Sequence, residues 1–222
     1  MKLENVMLVI IVVLGACCLL AGSAHAIIVD LDGVAVGTVV AGETPGGDVL
    51  TAGLFEDFEI AVENHGDGPS SLVVIEAVVL DAHPDGQQQT PEYADHLMVL
   101  ADNIVDDRPG DGRVDFPVCD KDGGLVRFTF LAPVNLAYVV LGAIDQDHHD
   151  YELTVDGEVA VSVSSGSQWT EPGIFIDLDG YMSISEVSIQ LRGGIGIARI
   201  AYFPESVDVE DATWGAVKVL YR

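Results

Sequence analysis

The side chains best equipped for chemistry in this chain are carboxylates, and three pairs of them share one spacing. Asp30-Leu31-Asp32-Gly33, Asp120-Lys121-Asp122-Gly123 and Asp177-Leu178-Asp179-Gly180 each read Asp-x-Asp-Gly. Carboxylate and carbonyl oxygens suit a hard cation, so Ca²⁺ is the ion this spacing brings to mind. None of the three continues as an EF-hand. Counted from Asp120, position 12 is Leu131, and counted from Asp177 it is Ser188, so the bidentate acid that the loop requires is missing. Asp-Gly is also an ordinary hairpin turn, and a turn is the expected role of each pair.

A denser group is Asp145-Gln146-Asp147-His148-His149-Asp150, which follows the apolar run Val134–Ile144. Adjacent residues on a strand point to opposite faces, so His148 and His149 are poorly placed to share one transition metal. The group reads either as a solvated loop or as a calcium site using Asp145 and Asp147. For sugar binding, an aromatic face stacks on a ring while planar polar groups take its hydroxyls. Trp169 and Tyr181, near polar turns, are the ligand-binding candidates, with Tyr151 and Tyr93 behind them; the competing role of each is packing at the edge of a fold.

Catalytic signatures are missing. The chain has no G-x-S-x-G, no H-E-x-x-H and no phosphate-binding glycine loop, and Cys119 has no histidine near it in sequence. The expectation is a protein that is not an enzyme. A secreted glycan hydrolase stays as an alternative, because it needs only two carboxylates at the right separation.

Residues 1–26 have the build of an export signal. Lys2 supplies a positive start, Val6 to Leu20 is apolar, and Ala24-His25-Ala26 is an A-x-A cleavage site before Ile27. Two other readings stand beside cleavage after Ala26: an uncleaved anchor, near the lower limit of about 17 residues for a bilayer-spanning helix, and a lipoprotein modified at Cys17 in Leu14-Gly15-Ala16-Cys17. Cleavage removes Cys17 and Cys18, so an intramolecular disulfide is impossible and Cys119 is expected to be a small core residue. It also removes Lys2 and Glu4 and leaves the net charge at −27. Such a surface repels phosphate backbones and anionic lipid and attracts cations, which argues against nucleic-acid partners.

The fold that must position these residues is written in a two-residue period. Tyr151, Leu153 and Val155 alternate with polar neighbours, as do Val187, Ile189 and Leu191, and Val126, Phe128 and Phe130. Leu72–Leu80 and Val134–Ile144 are continuous apolar runs, the pattern of strands covered on both faces. Arg113–Val118 also reads as strand, and Thr90–Ala101 offers one turn of helix before Leu97–Leu100. Turn clusters such as His65-Gly66-Asp67-Gly68-Pro69 and Lys121-Asp122-Gly123-Gly124 punctuate the segments. The fold class expected is all-β, an antiparallel β-sandwich or jelly roll. Its divisions are a signal peptide at 1–26, an N-terminal strand and Gly-rich segment at 27–54, the sandwich at 55–204 and a C-terminal tail at 205–222.

Phe128-Thr129-Phe130-Leu131-Ala132-Pro133-Val134, then Ile144-Asp145-Gln146-Asp147, then Gly193–Phe203 resembles the order of motifs in secreted bacterial β-sandwich domains of cell-surface and sorting-signal proteins. The resemblance covers about residues 55–204. It implies a galactose-binding-like jelly roll outside the cell, with no established reaction, and it adds Asp81 and Asp85 to Asp145 and Asp147 as metal candidates. Where those domains carry an aspartate in the last stretch, this chain has Ala198 or Arg199. The final segment, Thr213–Arg222, with Trp214, Lys218 and Arg222, looks like a sorting tail; the competing reading is a docked last element. Together these expectations describe a secreted or cell-surface module, structural or ligand-binding and calcium-stabilised, with a cell-surface component or a glycan as partner. A carbohydrate-binding module is the first alternative. After signal cleavage no transmembrane segment is expected.

Overall fold

The computed structural model describes residues 26–29, 31, 33–50, 55–76, 96–106, 111–143, 150–164 and 173–205. Its twelve strands are β1 (Ile27–Val29), β2 (Val39–Glu43), β3 (Val49–Leu50), β4 (Phe58–Asn64), β5 (Ser71–Glu76), β6 (His96–Leu100), β7 (Gly124–Ala143), β8 (Asp150–Val155), β9 (Glu158–Ser164), β10 (Gly173–Asp177), β11 (Ile184–Arg192) and β12 (Ile195–Pro204). Every pairing between them is antiparallel. Among the described residues there is no helix.

The architecture follows from β7. Its first half, from Gly124 to Phe130, pairs with β4 on one side and β11 on the other, while its second half, from Val134 to Ala143, pairs with β12 and β10. Leu191 sits opposite Gly124 and Ile195 opposite Ala143. The chain from 191 to 195 reaches at most about 14 Å, yet a straight strand of this length would span about 60 Å. β7 therefore doubles back on itself through the exposed Leu131-Ala132-Pro133. Its first half belongs to a front sheet, β4-β7-β11-β8-β9, and its second half to a back sheet, β10-β7-β12-β6-β5-β2-β3, with β1 beside β12. The molecule is an antiparallel β-sandwich whose layers share one strand.

Between the layers lies the main core. Phe128, Leu153 and Ile189 from the front sheet meet Met98, Leu141 and Ile197 from the back, all fully buried. In the front sheet the alternation read from the sequence holds: Tyr151, Leu153 and Val155 face in and their neighbours do not. The back sheet is buried on both faces. Leu97, Val99, Val140 and Ala198 form a second cluster and Val73, Ala101 and Val114 a third, which is why Leu72–Ile75 reads as a continuous apolar run.

Local chemistry fixes the turns. At Asp156-Gly157 both φ angles are positive, 46° and 81°, as a tight β8–β9 hairpin requires. The Asp156 Oδ1 then accepts from the backbone N–H groups of Ser185 (3.1 Å) and Glu186 (2.8 Å), tying the hairpin to the start of β11. Where β7 begins, a Cβ on Gly123 would stand 1.9 Å from the Leu191 carbonyl oxygen and one on Gly124 would stand 2.1 Å from that of Glu63. Only glycine lets β7 enter between its neighbours.

Two expectations change. Arg113–Val118 is not a strand: Arg113 N–H is taken by Asp111 Oδ1 at 2.8 Å, Phe116 has a φ of 52°, and Pro117 has no N–H to offer a ladder. Only Cys119 forms a bridge, with Ala101. The segments around Phe128 and after Val134, read as separate strands, are one strand folded over. Leu97–Leu100 lie in β6, and residues 90–95 fall outside the described residues. Cys119 is buried, as expected.

Candidate functional site

Register assembles a polar site that no linear motif announces. On the outer face of the front sheet, Arg192, Asp150 and Ser164 are cross-strand neighbours in one row, and Gln190, Glu152 and Ser162 in the next. Side chains directly opposite one another share a face, and so do residues two apart. Six polar side chains from β11, β8 and β9 thus form a patch of about 10 Å by 7 Å, given the spacing of strands and the rise per residue. His65, from the β4–β5 turn, borders the patch, and the groove they line has a volume of about 390 Å³.

Its parts are held in place. Gln190 Nε2 donates to the Gly124 carbonyl at 3.0 Å and lies 3.2 Å from His65 Nδ1, which fixes the plane of the amide. His65 Nε2 lies 4.0 Å from Glu63 Oε1. Behind His65 the turn is anchored by Asp120, a carboxylate only 5% exposed. Asp120 Oδ2 accepts from Asn64 Nδ2 at 3.1 Å, and Oδ1 from the Asp122 N–H at 2.9 Å. Asn64 Nδ2 also reaches the carbonyls of Pro69 (3.0 Å) and Ala101 (3.3 Å). Gly66 and Gly68 pack on the carboxylate so closely that a Cβ on either would come within 2.8 Å of Asp120 Oδ2.

These contacts give two of the Asp-x-Asp-Gly motifs their local role. Asp120 caps its own turn, and Asp177 Oδ1 accepts from the Asp179 N–H at 3.0 Å in the same way. Asp30 and Asp32 lie outside the described residues, as do the metal candidates Asp81, Asp85, Asp145 and Asp147, the ligand candidate Trp169, Tyr93, and the tail residues Trp214, Lys218 and Arg222. Among the described residues no group of three or more His, Cys, Asp or Glu is placed to hold a metal ion. Ala198 is buried, and Arg199 is half-buried with its Nε enclosed and without a hydrogen-bond partner, so neither offers an anionic ligand where the resembling domains have aspartate.

Tyr181 is half-buried against the main core, and its backbone bonds Leu136 and Leu178. It sits at the end of the sandwich opposite the groove, beside the start of β11. Tyr151 is a core residue behind the groove, and burial pushes its hydroxyl above the ordinary tyrosine pKa. Tyr202 is buried where β1 and β4 approach β12; burial foremost, then its 2.8 Å hydrogen bond to Asp57 Oδ2 and the charge of that carboxylate, push its pKa up as well. Of the acidic cluster singled out in the sequence, Asp150 is the member that the structure places in the groove. The others in the site, Glu152, Ser162, Ser164, Gln190, Arg192 and His65, were missed because their only sequence signal is the polar half of an alternating strand or a turn residue.

Among the described residues no helix is long and apolar enough to cross a membrane. No family model matches the chain, and no curated protein matches it in sequence. Among solved structures it is similar to the carbohydrate-binding module CBM51 from Clostridium perfringens GH95 in complex with methyl-galactose, with 9% identity, a TM-score of 0.25, and coverage of 79% of this chain and 99% of that one.

Proposed function

We propose that this chain is a non-catalytic module, acting outside the cytoplasm or at the cell surface, that binds a neutral, hydroxyl-rich ligand of the glycan class in the groove over β8, β9 and β11. The observation that carries this reading is the pair of polar rows. Asp150 and Glu152 are acceptors, Arg192 is a fixed donor, Gln190 is a planar amide held in position, and Ser162 and Ser164 are hydroxyls. Vicinal sugar hydroxyls each donate and accept, and a surface alternating both functions over about 10 Å satisfies them without a net charge on the ligand. The overall charge of −27 disfavours acidic glycans and nucleic acids.

Calcium stabilisation through Asp145 and Asp147, with Asp81 and Asp85, is part of the proposal. Its support is the residue chemistry of a hard cation site and the charge of the chain.

Titration calorimetry against a panel of neutral oligosaccharides tests the binding reading. A saturable ligand should lose at least tenfold in affinity on Gln190→Ala and on Arg192→Ala, while Tyr181→Phe at the opposite end leaves it unchanged. Binding that survives both groove substitutions, or no binding by any neutral glycan, refutes the assignment.

A further inference from the structure

A second pocket, of about 220 Å³, lies where β1 meets β12 and the start of β4. Five of its lining residues matter here: Ile27, Val29, Glu56, Asp57 and Tyr202. Ile27 is the cross-strand partner of Tyr202 and packs partly buried against the core. Tyr202 donates to Asp57 Oδ2 at 2.8 Å. Glu56 and Asp57 bring two carboxylates to the rim, and no residue lining the pocket is a cation.

Ile27 is also the residue that would follow an Ala24-His25-Ala26 cleavage site. We infer that this pocket is the seat of the α-ammonium group that removal of the export signal creates on Ile27. In the precursor that nitrogen is the neutral amide between Ala26 and Ile27. Hydrolysis by a processing peptidase adds one water across the bond, leaving the carboxylate on Ala26 and an amine on Ile27, and the amine takes up a proton at neutral pH. A positive charge then appears in the wall of a pocket whose charged lining is otherwise wholly negative.

The placement answers a physical problem. β1 has three residues, pairs with β12 alone among the strands, and becomes the very end of the mature chain, where short strands fray. Burial of Val29 holds its far end; attraction to Glu56 and Asp57 holds the near one. The polar and charged groups that share the pocket lining with Ile27 are Glu56 and Asp57 from the approach to β4 and the Tyr202 hydroxyl from β12. Both carboxylates are exposed, so the attraction is of the modest, salt-screened kind.

The test uses the full-length chain expressed with its own signal, purified after export and analysed by intact mass and N-terminal sequencing. The expected first residue is Ile27; a mature chain that begins elsewhere overturns the inference. Given that start, the α-amine is titrated by NMR. Its pKa should lie about 0.5 to 0.7 unit above the ordinary range for an α-amine, as an attraction at the upper end for exposed ion pairs requires. Both Glu56→Gln and Asp57→Asn should lower it toward that range, and added salt should do the same in the unsubstituted chain. Glu56→Gln leaves the Tyr202 hydrogen bond untouched, so its effect reads the charge alone. An α-amine that titrates in the ordinary range and ignores both substitutions overturns the inference.

Discussion

The turn that borders the groove rests on one buried carboxylate, and its contribution can be isolated because one of the two glycines packed on it, Gly66, meets Asp120 at all three nearest atoms. For Gly66, the three heavy atoms nearest to an added Cβ are Oδ2, Oδ1 and Cγ of Asp120, at 2.6, 2.8 and 3.0 Å. Gly66→Ala is therefore costly first through Asp120. Asp120→Ala removes the acceptor of the Asp122 N–H and one of three acceptors of Asn64 Nδ2. Hydrogen bonds to a charged group are worth about 1.5–3 kcal/mol each. Because Asn64 keeps its two carbonyls, the net loss is about 3 kcal/mol, or about 6–12 °C in Tm for a chain of this size. Gly66→Ala alone should cost about 1–3 kcal/mol as an overpacking substitution. Combined with Asp120→Ala it should cost almost nothing further, since its obstacle has gone. Urea unfolding of the wild type, both single variants and the double variant measures this coupling, expected at 1 kcal/mol or more. Additive costs, or an Asp120→Ala variant within about 0.5 kcal/mol of the wild type, would show that the carboxylate does not organise the turn.

Three further outcomes follow from other parts of the molecule. Tyr202 has a raised pKa in the folded state, so its contribution to stability is complete below the unfolded value near 10 and is lost as pH rises above it; alkaline unfolding curves should show this loss, and Tyr202→Phe should flatten it at a cost of about 1 kcal/mol at neutral pH. Gly157→Val places a β-branched residue at a φ of 81° in the β8–β9 turn and should destabilise by about 2 kcal/mol or more in chemical denaturation, with Gly157→Asn tolerated far better. Thermal unfolding in EDTA followed by millimolar Ca²⁺ should raise Tm by several degrees, with Mg²⁺ at equal ionic strength doing less and Asp145→Asn with Asp147→Asn abolishing the difference; equal shifts with both ions would reduce the calcium proposal to charge screening.

The sequence discloses β8, β11 and the first half of β7 because each of these front-sheet strands has one wet face, whereas β4 and β9 of the same sheet are not evident from it. Tyr151 to Val155 and Val187 to Leu191 alternate, and they are β8 and β11 with the predicted residues inward. The back sheet was legible as buried strand but not as topology: a run covered on both faces carries no phase, so nothing in Val134–Leu141 tells which neighbour lies on which side. The folding back of β7 was hidden for a related reason, since Leu131-Ala132-Pro133 reads as a break between two strands when it is a corner within one. Arg113–Val118 misled because local chemistry outweighed pattern; an aspartate accepting from the backbone and a proline defeat an alternating stretch. The groove was the least legible part. Asp150 and Arg192 are far apart in sequence, and only the register of β8 on β11 makes them neighbours; no spacing rule along the chain encodes it.

The shared strand has a mechanical meaning. In a sandwich of two independent sheets, the layers can slide or open by giving up side-chain contacts alone. Here the chain that passes through Leu131-Ala132-Pro133 is a covalent hinge pin, hydrogen-bonded into the front sheet on one side and the back sheet on the other. Shearing one layer over the other therefore strains the backbone ladders at that corner as well as the packing between the layers. At the opposite end, where the groove lies, the described residues join the layers by shorter local links, the 193–194 connection, the 65–70 turn from β4 to β5 and the Asn64 hydrogen bonds to Asp120 and the Ala101 carbonyl.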